Sequence, residues 1–189
     1  MPTYLETRRM LLRPFTEADA DVLAALHGDP QVMRFIDTGL PVPREEVERE
    51  TLPRIIREYR ELPPGLGRFA AEERDSGAFL GWFALRPADS VGLSDGIELG
   101  YRIRSQAWGQ GYATEGARAL IRHAFLGLGL TEIVATTMAV NVASRRVMEK
   151  AGMAYVRTFV EEFPAPIEGA EHGDLEYVVR RSGWDRRTG

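Results

Sequence analysis

Two glycines, Gly109 and Gly111, open a helical segment in the stretch QAWGQGYATEGARAL, residues 106–120. The first turn of a helix leaves backbone N–H groups without acceptors, and the helix dipole adds about half a positive charge there. With little side-chain bulk, those groups can converge on one anion such as a pyrophosphate. Ala113 and Thr114 keep the next positions small, and Thr114 adds a hydroxyl donor. The alternative is a helix entry that needs glycine only for tight packing.

Motifs of other enzyme classes fit the chain poorly. A P-loop ends in Gly-Lys-Ser/Thr, which this loop lacks, and the dinucleotide fingerprint needs a third glycine where Thr114 stands. The stretch GLSDG matches the G-x-S-x-G nucleophile elbow around Ser94, but that elbow needs a helix after the serine. A strand pattern follows instead, so a serine hydrolase is disfavoured.

The segment before the glycines, GIELGYRIR, alternates as a strand does and allows a bulge at Gly100. One predicted face carries Ile97, Leu99, Tyr101 and Ile103. The other carries Glu98, Gly100, Arg102 and Arg104. A second site segment, NVASRRVMEKAG, reads as a short helix that starts near Asn141 and ends before Gly152.

The remaining elements must support these two segments. MLLRPF predicts a strand, TEADADVLAALHG a helix capped by Thr16, and residues 43–62 a polar helical region that Pro53 kinks or divides. A hairpin turning at residues 75–77 precedes the GIELGYRIR strand, and EIVATTMAV, MAYVRTFVEEF and DLEYVVRR close the sheet. Because strands cluster in hairpins, we predict an α+β fold with a mixed, mostly antiparallel sheet flanked by helices.

Composition bounds the class of protein. The chain has 189 residues, 44% of them hydrophobic and 28% charged, with a net charge of −4 and no cysteine. These values predict a single globular domain over residues 1–181, with a frayed tail over 182–189. The lack of a basic block argues against nucleic acid, and the lack of a long apolar run or signal-like start argues for a cytoplasmic, non-membrane protein. The three histidines are far apart in sequence, and no metal site is expected.

The two site segments resemble the GNAT superfamily of N-acetyltransferases, in particular its RimJ/RimL-like branch. The family signature Q/R-x-x-G-x-G/A reads Gln106 to Gly111 here, and the branch's longer form GYxxxxxxWGxGYATE matches residues 100–115. A second block, NxxSxxxxxKxGM/F, matches residues 141–153, and ETRRMLLRPFTEADA looks like the branch's first strand and helix. The resemblance implies the GNAT fold, with a central sheet that splays at the cofactor site.

The resemblance also implies acetyl-CoA as the co-substrate. Backbone amides of the glycine loop would hold its pyrophosphate, the pantetheine arm would lie along the strand, and Asn141 would hold a pantetheine amide, cap its helix, or do both. The residues so assigned are Tyr101, Arg102, Ile103, Trp108, Gly109, Gln110, Gly111, Tyr112, Ala113, Thr114, Asn141 and Ser144.

Two residues are candidates for proton transfer. An amine must lose a proton before it attacks, because its pKa lies between about 8 and 10. Glu98 matches an acid that related enzymes use as general base, unless it is a solvent-facing strand residue or a partner of Arg102. Ser144 matches a proposed acid toward the thiolate, unless its hydroxyl only bonds the helix backbone or the sulfur. Met148 stands where many relatives have a tyrosine.

The implied reaction is acetyl transfer to a primary amine: a protein N-terminus, an amino acid or another small amine. Without cysteine there can be no thioester acyl-enzyme, so direct attack in a ternary complex is expected. The acceptor site should lie between residues 30–66 and the acidic segment 161–176, whose charge either attracts a cationic amine or is plain solvation. A non-catalytic acyl-CoA sensor with the same fold is the alternative. The protein is expected to be a monomer or a homodimer.

Overall fold

The structure is a computed structural model that describes residues 3–93, 95–160 and 167–188. Its strands are β1 Leu5–Glu6, β2 Met10–Pro14, β3 Gly67–Glu73, β4 Phe79–Pro87, β5 Ile97–Ile103, β6 Glu132–Met138, β7 Ala154–Phe159 and β8 Asp174–Arg180. Its helices are α1 Ala20–His27, α2 Pro30–Met33, α3 Arg44–Glu46, α4 Leu52–Glu61, α5 Tyr112–Leu126, α6 Val142–Lys150 and α7 Arg181–Thr188.

The strands form one eight-stranded sheet in the order β1-β2-β3-β4-β5-β6-β8-β7. Neighbouring strands pair antiparallel except β5 and β6, which are parallel and share one register pair, Glu98 with Val134. Beyond that pair the two strands separate toward their carboxyl ends. The predicted α+β class and the mixed, splayed sheet are therefore confirmed.

Strand β5 pairs with β4 without a register shift, from Gly81 opposite Ile103 to Pro87 opposite Ile97. The bulge predicted at Gly100 is absent on this side, where Gly100 lies opposite Ala84. Glycine is used there because the Glu98 carboxylate leans over it: both its oxygens would lie 3.3 Å from a Cβ at position 100. The irregularity of this half of the sheet lies in β3, between Ala71 and Glu72.

Helices cover both faces of the sheet. On one face, α5 packs its buried residues Leu120, Ile121 and Phe125 into the larger core. On the other, α1 and α4 pack Leu23 and Ile55 over Trp82 and Ala84. Because alternate residues of a strand point to opposite faces, the odd residues of β5 face the α5 side and the even ones face α1 and α4.

Close packing fixes where α5 begins. A Cβ at Gly116 would lie 2.2 Å from the buried ring of Phe83 on β4, so only glycine lets the helix approach the sheet this closely. The first turn of α5, with the glycine loop before it, is thereby held beside the end of β5.

Two local predictions differ in detail. The polar helical region is divided as Pro53 suggested, but by a π-helical turn over Val47–Thr51 that places Pro53 in the first turn of α4. Where the sequence predicts a frayed tail, the structure has helix α7, whose Trp184 ring packs edge-on against Phe125 at 5.5 Å between centroids. The domain boundary at residue 181 stays a prediction.

Candidate functional site

The loop between β5 and α5 presents a row of backbone donors. Gly109 and Gly111 adopt left-handed conformations, with φ of 73° and 85°, which side chains rarely adopt. Within the described residues, the N–H groups of residues 109–114 donate to no protein acceptor. A Cβ at Gly109 would meet nothing within 4 Å, so the glycine serves conformation and access rather than packing. An anion cradle would need such a row of donors, and that role stays a prediction; the loop over residues 109–114 is called the cradle below.

Side chains from the β1–β2 turn brace the cradle from behind. Arg9 donates to the Gln110 carbonyl at 2.9 Å and to the Glu115 carboxylate at 2.7 Å, and Thr7 donates to Glu115 at 2.7 Å. Burial acts to raise the pKa of Glu115, but these hydrogen bonds outweigh it and hold the pKa below its usual value. These hydrogen bonds therefore hold the Arg9 cation beside the cradle, where its positive charge would attract a bound anion.

Trp108 connects the cradle to β5. Its indole Nε1 donates to the Ile103 carbonyl at 2.7 Å while about half of the residue, 48%, stays exposed. This hydrogen bond uses one of the two lone pairs of the Ile103 carbonyl and fixes the indole beside the end of β5.

Helix α6 begins where β6 ends and brings two predicted residues to the same opening. Asn141 caps it, its Oδ1 accepting from the Ser144 N–H at 3.1 Å, and Ser144 Oγ lies 2.9 Å from the Tyr101 hydroxyl. Capping is one of the two roles expected of Asn141, and it leaves the side-chain amide nitrogen without a partner among the described residues. Burial raises the pKa of Tyr101, so its hydroxyl keeps its proton and can donate to Ser144.

Glu98 lies on the opposite face of β5 and is only 4% exposed. Its Oε2 accepts from Arg86 Nε at 2.6 Å across the β4–β5 pair. Neither alternative expected from sequence holds, since Glu98 is neither solvent-facing nor the partner of Arg102. A buried carboxylate needs such a partner, because an unpaired buried charge is costly.

A single cavity of about 1480 Å³ joins these parts. It reaches from the cradle through the gap between β5 and β6 to the space under α1 and α4. Glu98 and all the predicted cofactor residues except Gln110 line it. The Gln110 side chain turns back to the Gln106 carbonyl at 3.0 Å.

Sequence reasoning missed several groups at this site. The Tyr101 hydroxyl, the Arg9 brace and the Arg86 partner of Glu98 come from contacts between elements that are far apart in sequence. The alternation of GIELGYRIR already separated Tyr101 from Arg102, and that signal could have shown that Tyr101 shares a side of the sheet with the core rather than with Glu98.

The acidic segment is described only in part, because residues 161–166, including Glu161 and Glu162, lie outside the described residues. Of its other acids, Glu168 pairs with Arg34 at 3.2 Å and Glu176 with Arg157 at 2.6 Å. The Arg34 pair joins the two segments expected to flank the acceptor site. Ser94 of the G-x-S-x-G pattern also lies outside the described residues, and strand β5, not a helix, follows it.

Two features are absent from the described residues. Within them, no helix has the length and apolar character that crossing a membrane requires. The same residues contain no cluster of three or more His, Asp or Glu side chains placed to hold a metal ion.

Comparison with known proteins gives consistent matches. Residues 9–154 match the acetyltransferase (GNAT) domain family. A relative from Aspergillus fumigatus, FsC-acetyl coenzyme A-N(2)-transacetylase, is 34% identical over 96% of this chain and 78% of its own length.

Solved structures share the fold at lower identity. RimL, a ribosomal L7/L12 alpha-N-protein acetyltransferase in complex with coenzyme A, superposes with a TM-score of 0.74 at 15% identity, covering 95% of this chain and 98% of its own. Spermidine N-acetyltransferase from Vibrio cholerae, in complex with CoA and spermine, superposes with a TM-score of 0.73 at 19% identity, covering 92% of this chain and 96% of its own. From the family match and the fungal relative together, this chain belongs to the GNAT acetyltransferases and is an acetyl-CoA-dependent N-acetyltransferase.

Proposed function

We propose that the chain transfers the acetyl group of acetyl-CoA to a primary amine by direct attack in a ternary complex. The observation that carries this proposal is the row of unaccepted N–H groups over residues 109–114, which opens into the gap between β5 and β6. Glu98 lies on one side of that gap and Ser144 on the other. A base and an acid on opposite sides are what acyl transfer through the gap requires.

The cofactor would enter along the free edge of β5. The diphosphate would accept from the cradle amides, where the dipole of α5 also favours negative charge. The pantetheine arm would pair with backbone between Tyr101 and Ile103, in place of the strand that β6 no longer provides. The free amide nitrogen of Asn141 is placed to donate to a pantetheine carbonyl while its oxygen caps α6.

The acceptor would approach from the side of α1 and α4. Glu98, directly or through a water, would take a proton from the ammonium group, and the neutral nitrogen would then attack the thioester carbonyl. Arg86 holds one carboxylate oxygen, so the other is the one available for the proton. A C–N bond forms, the C–S bond breaks, and the second nitrogen proton leaves to solvent.

The departing thiolate would collect its proton on the other side of the gap. Ser144 would donate it and recover a proton from Tyr101, which lies 2.9 Å away and would itself take a proton back from solvent in the cavity. This pair supplies the hydroxyl acid that Met148, buried in the core, cannot supply. Donation to sulfur without proton transfer is the alternative role for the same hydroxyl.

Finer assignments belong to this proposal as well. The motif match over residues 100–115 favours the RimJ/RimL-like branch, although relatives of other branches share the fold. We expect a cytoplasmic enzyme, monomeric or homodimeric, that binds no nucleic acid, in keeping with its net charge of −4.

The test combines binding with initial rates. Calorimetry should find CoA binding to the pure protein, and thiol release across an amine panel should give intersecting double-reciprocal lines, as a ternary complex does. Parallel lines would contradict direct attack. Tight acetyl-CoA binding with no acetylated amine, peptide or ribosomal protein would favour the non-catalytic sensor.

A further inference from the structure

Buried polar atoms without partners gather on the acceptor side of the cavity. Among the described residues, His27 Nε2, Glu58 Oε2, Trp82 Nε1 and Arg102 Nε are inaccessible to solvent, lack a hydrogen-bond partner, and belong to residues that line this one cavity. Native proteins leave few buried polar groups unsatisfied, so several in one place indicate that a polar ligand completes the site.

Arg102 is the most telling of the four. Its side chain is only 10% exposed, and its guanidinium stacks over the Trp82 ring at 5.3 Å. Its other contacts are poor ones: Nη1 donates to the Met33 sulfur at 3.3 Å, and the Asp37 carboxylate, 71% exposed, lies 3.8 Å away. A buried guanidinium normally has a carboxylate at hydrogen-bond distance, so this one has capacity for an added anion.

The surrounding charge also favours an anion. Arg68 and Arg86 are each paired with one buried or half-buried acid, Glu58 and Glu98 respectively, whereas the ion-pair partner of Arg102 is the exposed Asp37 at 3.8 Å. Burial lowers the pKa of Arg102 to about 10, the Asp37 charge opposes this shift, and the neighbouring arginines add to it; Arg102 still stays charged at neutral pH. The unpartnered buried donors, Trp82 Nε1–H and Arg102 Nε–H, can serve only an acceptor atom.

The distance between Arg102 and the proposed site of acetyl transfer limits which acceptors could bind both. Glu98, Gly100 and Arg102 point to the same face of β5, with Arg102 about 7 Å along the strand from Gly100 at the usual rise per residue. An anion at Arg102 would therefore lie a few bonds from a nitrogen that meets the acetyl group beside Gly100. A polyamine or an extended peptide offers no anion at that distance.

We propose that the acceptor is a free amino acid, or a small molecule built like one, whose carboxylate is bound by Arg102 Nε and Trp82 Nε1. This inference rests on the proposed acetyl transfer and narrows its acceptor. The carboxylate fixes the molecule while its amino group faces Glu98. The acidic segment then has no role in amine selection.

Matched acceptors test the claim. Leucine, leucinamide and 3-methylbutylamine share one side chain but differ in the carboxylate, as do phenylalanine, phenylalaninamide and 2-phenylethylamine. Thiol release should give a kcat/KM at least tenfold higher for an acid than for its amide or decarboxylated amine. An equal or reversed order, or preference for spermine or a peptide N-terminus, would overturn the carboxylate site while leaving acetyl transfer intact.

Variants assign the selectivity to the named residues. Arg102→Gln should reduce the acid-to-amide ratio to near one, and Trp82→Phe, which keeps the ring and removes the donor, should lower it severalfold. Arg49→Gln removes an exposed arginine that pairs with Glu45 outside the cavity and should keep the wild-type ratio. If Arg102→Gln does not fold, Arg102→Lys should still lower the ratio, because an ammonium lacks the Nε donor. An unchanged ratio in all of these variants would refute the assignment.

A binding measurement separates this inference from the enzymatic proposal. With CoA present, calorimetry should find N-acetylleucine binding at least tenfold more tightly than N-acetylleucinamide, with the difference lost in Arg102→Gln. Such binding without acetylation of any amine would refute the enzyme and support the anion site. Equal affinities for the two compounds would refute the anion site.

Discussion

Glu98 combines deep burial with a neighbouring cation, as a base in a dry site must. The same two features would suit a purely structural ion pair, which sets the question for mutagenesis. Loss of a general base would lower turnover, whereas loss of a structural ion pair would impair folding. Both roles fit the geometry, because Arg86 satisfies only one of the two carboxylate oxygens.

Glu98→Gln keeps the shape and a hydrogen-bond acceptor for Arg86 but removes the base. We expect kcat at neutral pH to fall by about 100-fold, within the usual range for general base catalysis, with little change in the Kd for CoA. Glu72→Gln removes a partly buried carboxylate paired with Arg13 outside the cavity and should retain wild-type turnover. Lost CoA binding in Glu98→Gln would assign Glu98 a structural role.

The Tyr101–Ser144 pair is a second residue-scale feature with a measurable role. Ser144→Ala and Tyr101→Phe should each lower kcat about tenfold, and the double variant should be little worse than either, because the two hydroxyls act in series. Tyr155→Phe breaks a similar hydroxyl pair, Tyr155 with Thr158 at 2.9 Å, on exposed β7. It serves as the control and should have no effect. Additive losses in the double variant would rule out a relay.

At the scale of elements, the site depends on two neighbouring strand ends. Because β5 and β6 are parallel, their carboxyl ends meet at the same edge of the sheet, so the loop after one and the helix after the other face each other. The cradle and the Asn141–Ser144 helix end are thus brought together by topology rather than by direct contacts between them.

The left-handed backbone of the cradle can be tested by comparing two glycine substitutions that should destabilise the fold equally. Gly109→Ala and Gly129→Ala both place a Cβ in open space at φ of 73° and 71°, so each should destabilise the fold by about 1 kcal/mol. Gly129 lies in the loop after α5, at the opposite end of that helix from the cradle. Only Gly109→Ala should weaken CoA binding, by about tenfold, measured by calorimetry. Equal affinities in the two variants would place the diphosphate elsewhere.

At the scale of the whole molecule, the interior under α1 and α4 is strongly charged. The pKa of its buried histidine, His27, is far below the usual value. Burial, reinforced by Arg102, Arg68 and Arg54, lowers the pKa of His27 to about 3 from 6.5. Between these values the unfolded chain takes up a proton that the folded chain does not. Stability is therefore lost as pH falls from about 6.5 toward 3.

Chemical denaturation across that pH range measures the effect. The free energy of unfolding of wild type should fall more steeply than that of His27→Gln, by up to about 1.4 kcal/mol per pH unit for the one proton. Above pH 7 the two curves should run parallel. Histidine 172, exposed on the surface, provides the control, and His172→Gln should follow wild type. Identical slopes for His27→Gln and wild type would contradict the depressed pKa.

The sequence supports prediction of this molecule unevenly. Glycine spacing and β5 alternation predicted the strand, the loop and the helix that surround the gap, because these signals are local. The Glu98–Arg86 pair and the Tyr101–Ser144 contact were not predictable, because each depends on register between elements more than ten residues apart. From the sequence, only the backbone of Arg102 was assigned to the cofactor. The missing hydrogen-bond partner of its side-chain Nε could be found only from the packing under α1.

The single residue pair between β5 and β6 also bears on how long the protein persists in a cell. A bound pantetheine arm would supply the missing backbone partners, so the amides along the inner edges of both strands should exchange more slowly with deuterium when CoA is added. The unliganded form should be digested faster by a protease that attacks transiently opened chains. The amount of this enzyme would then follow the supply of its own acyl donor, without any separate regulator.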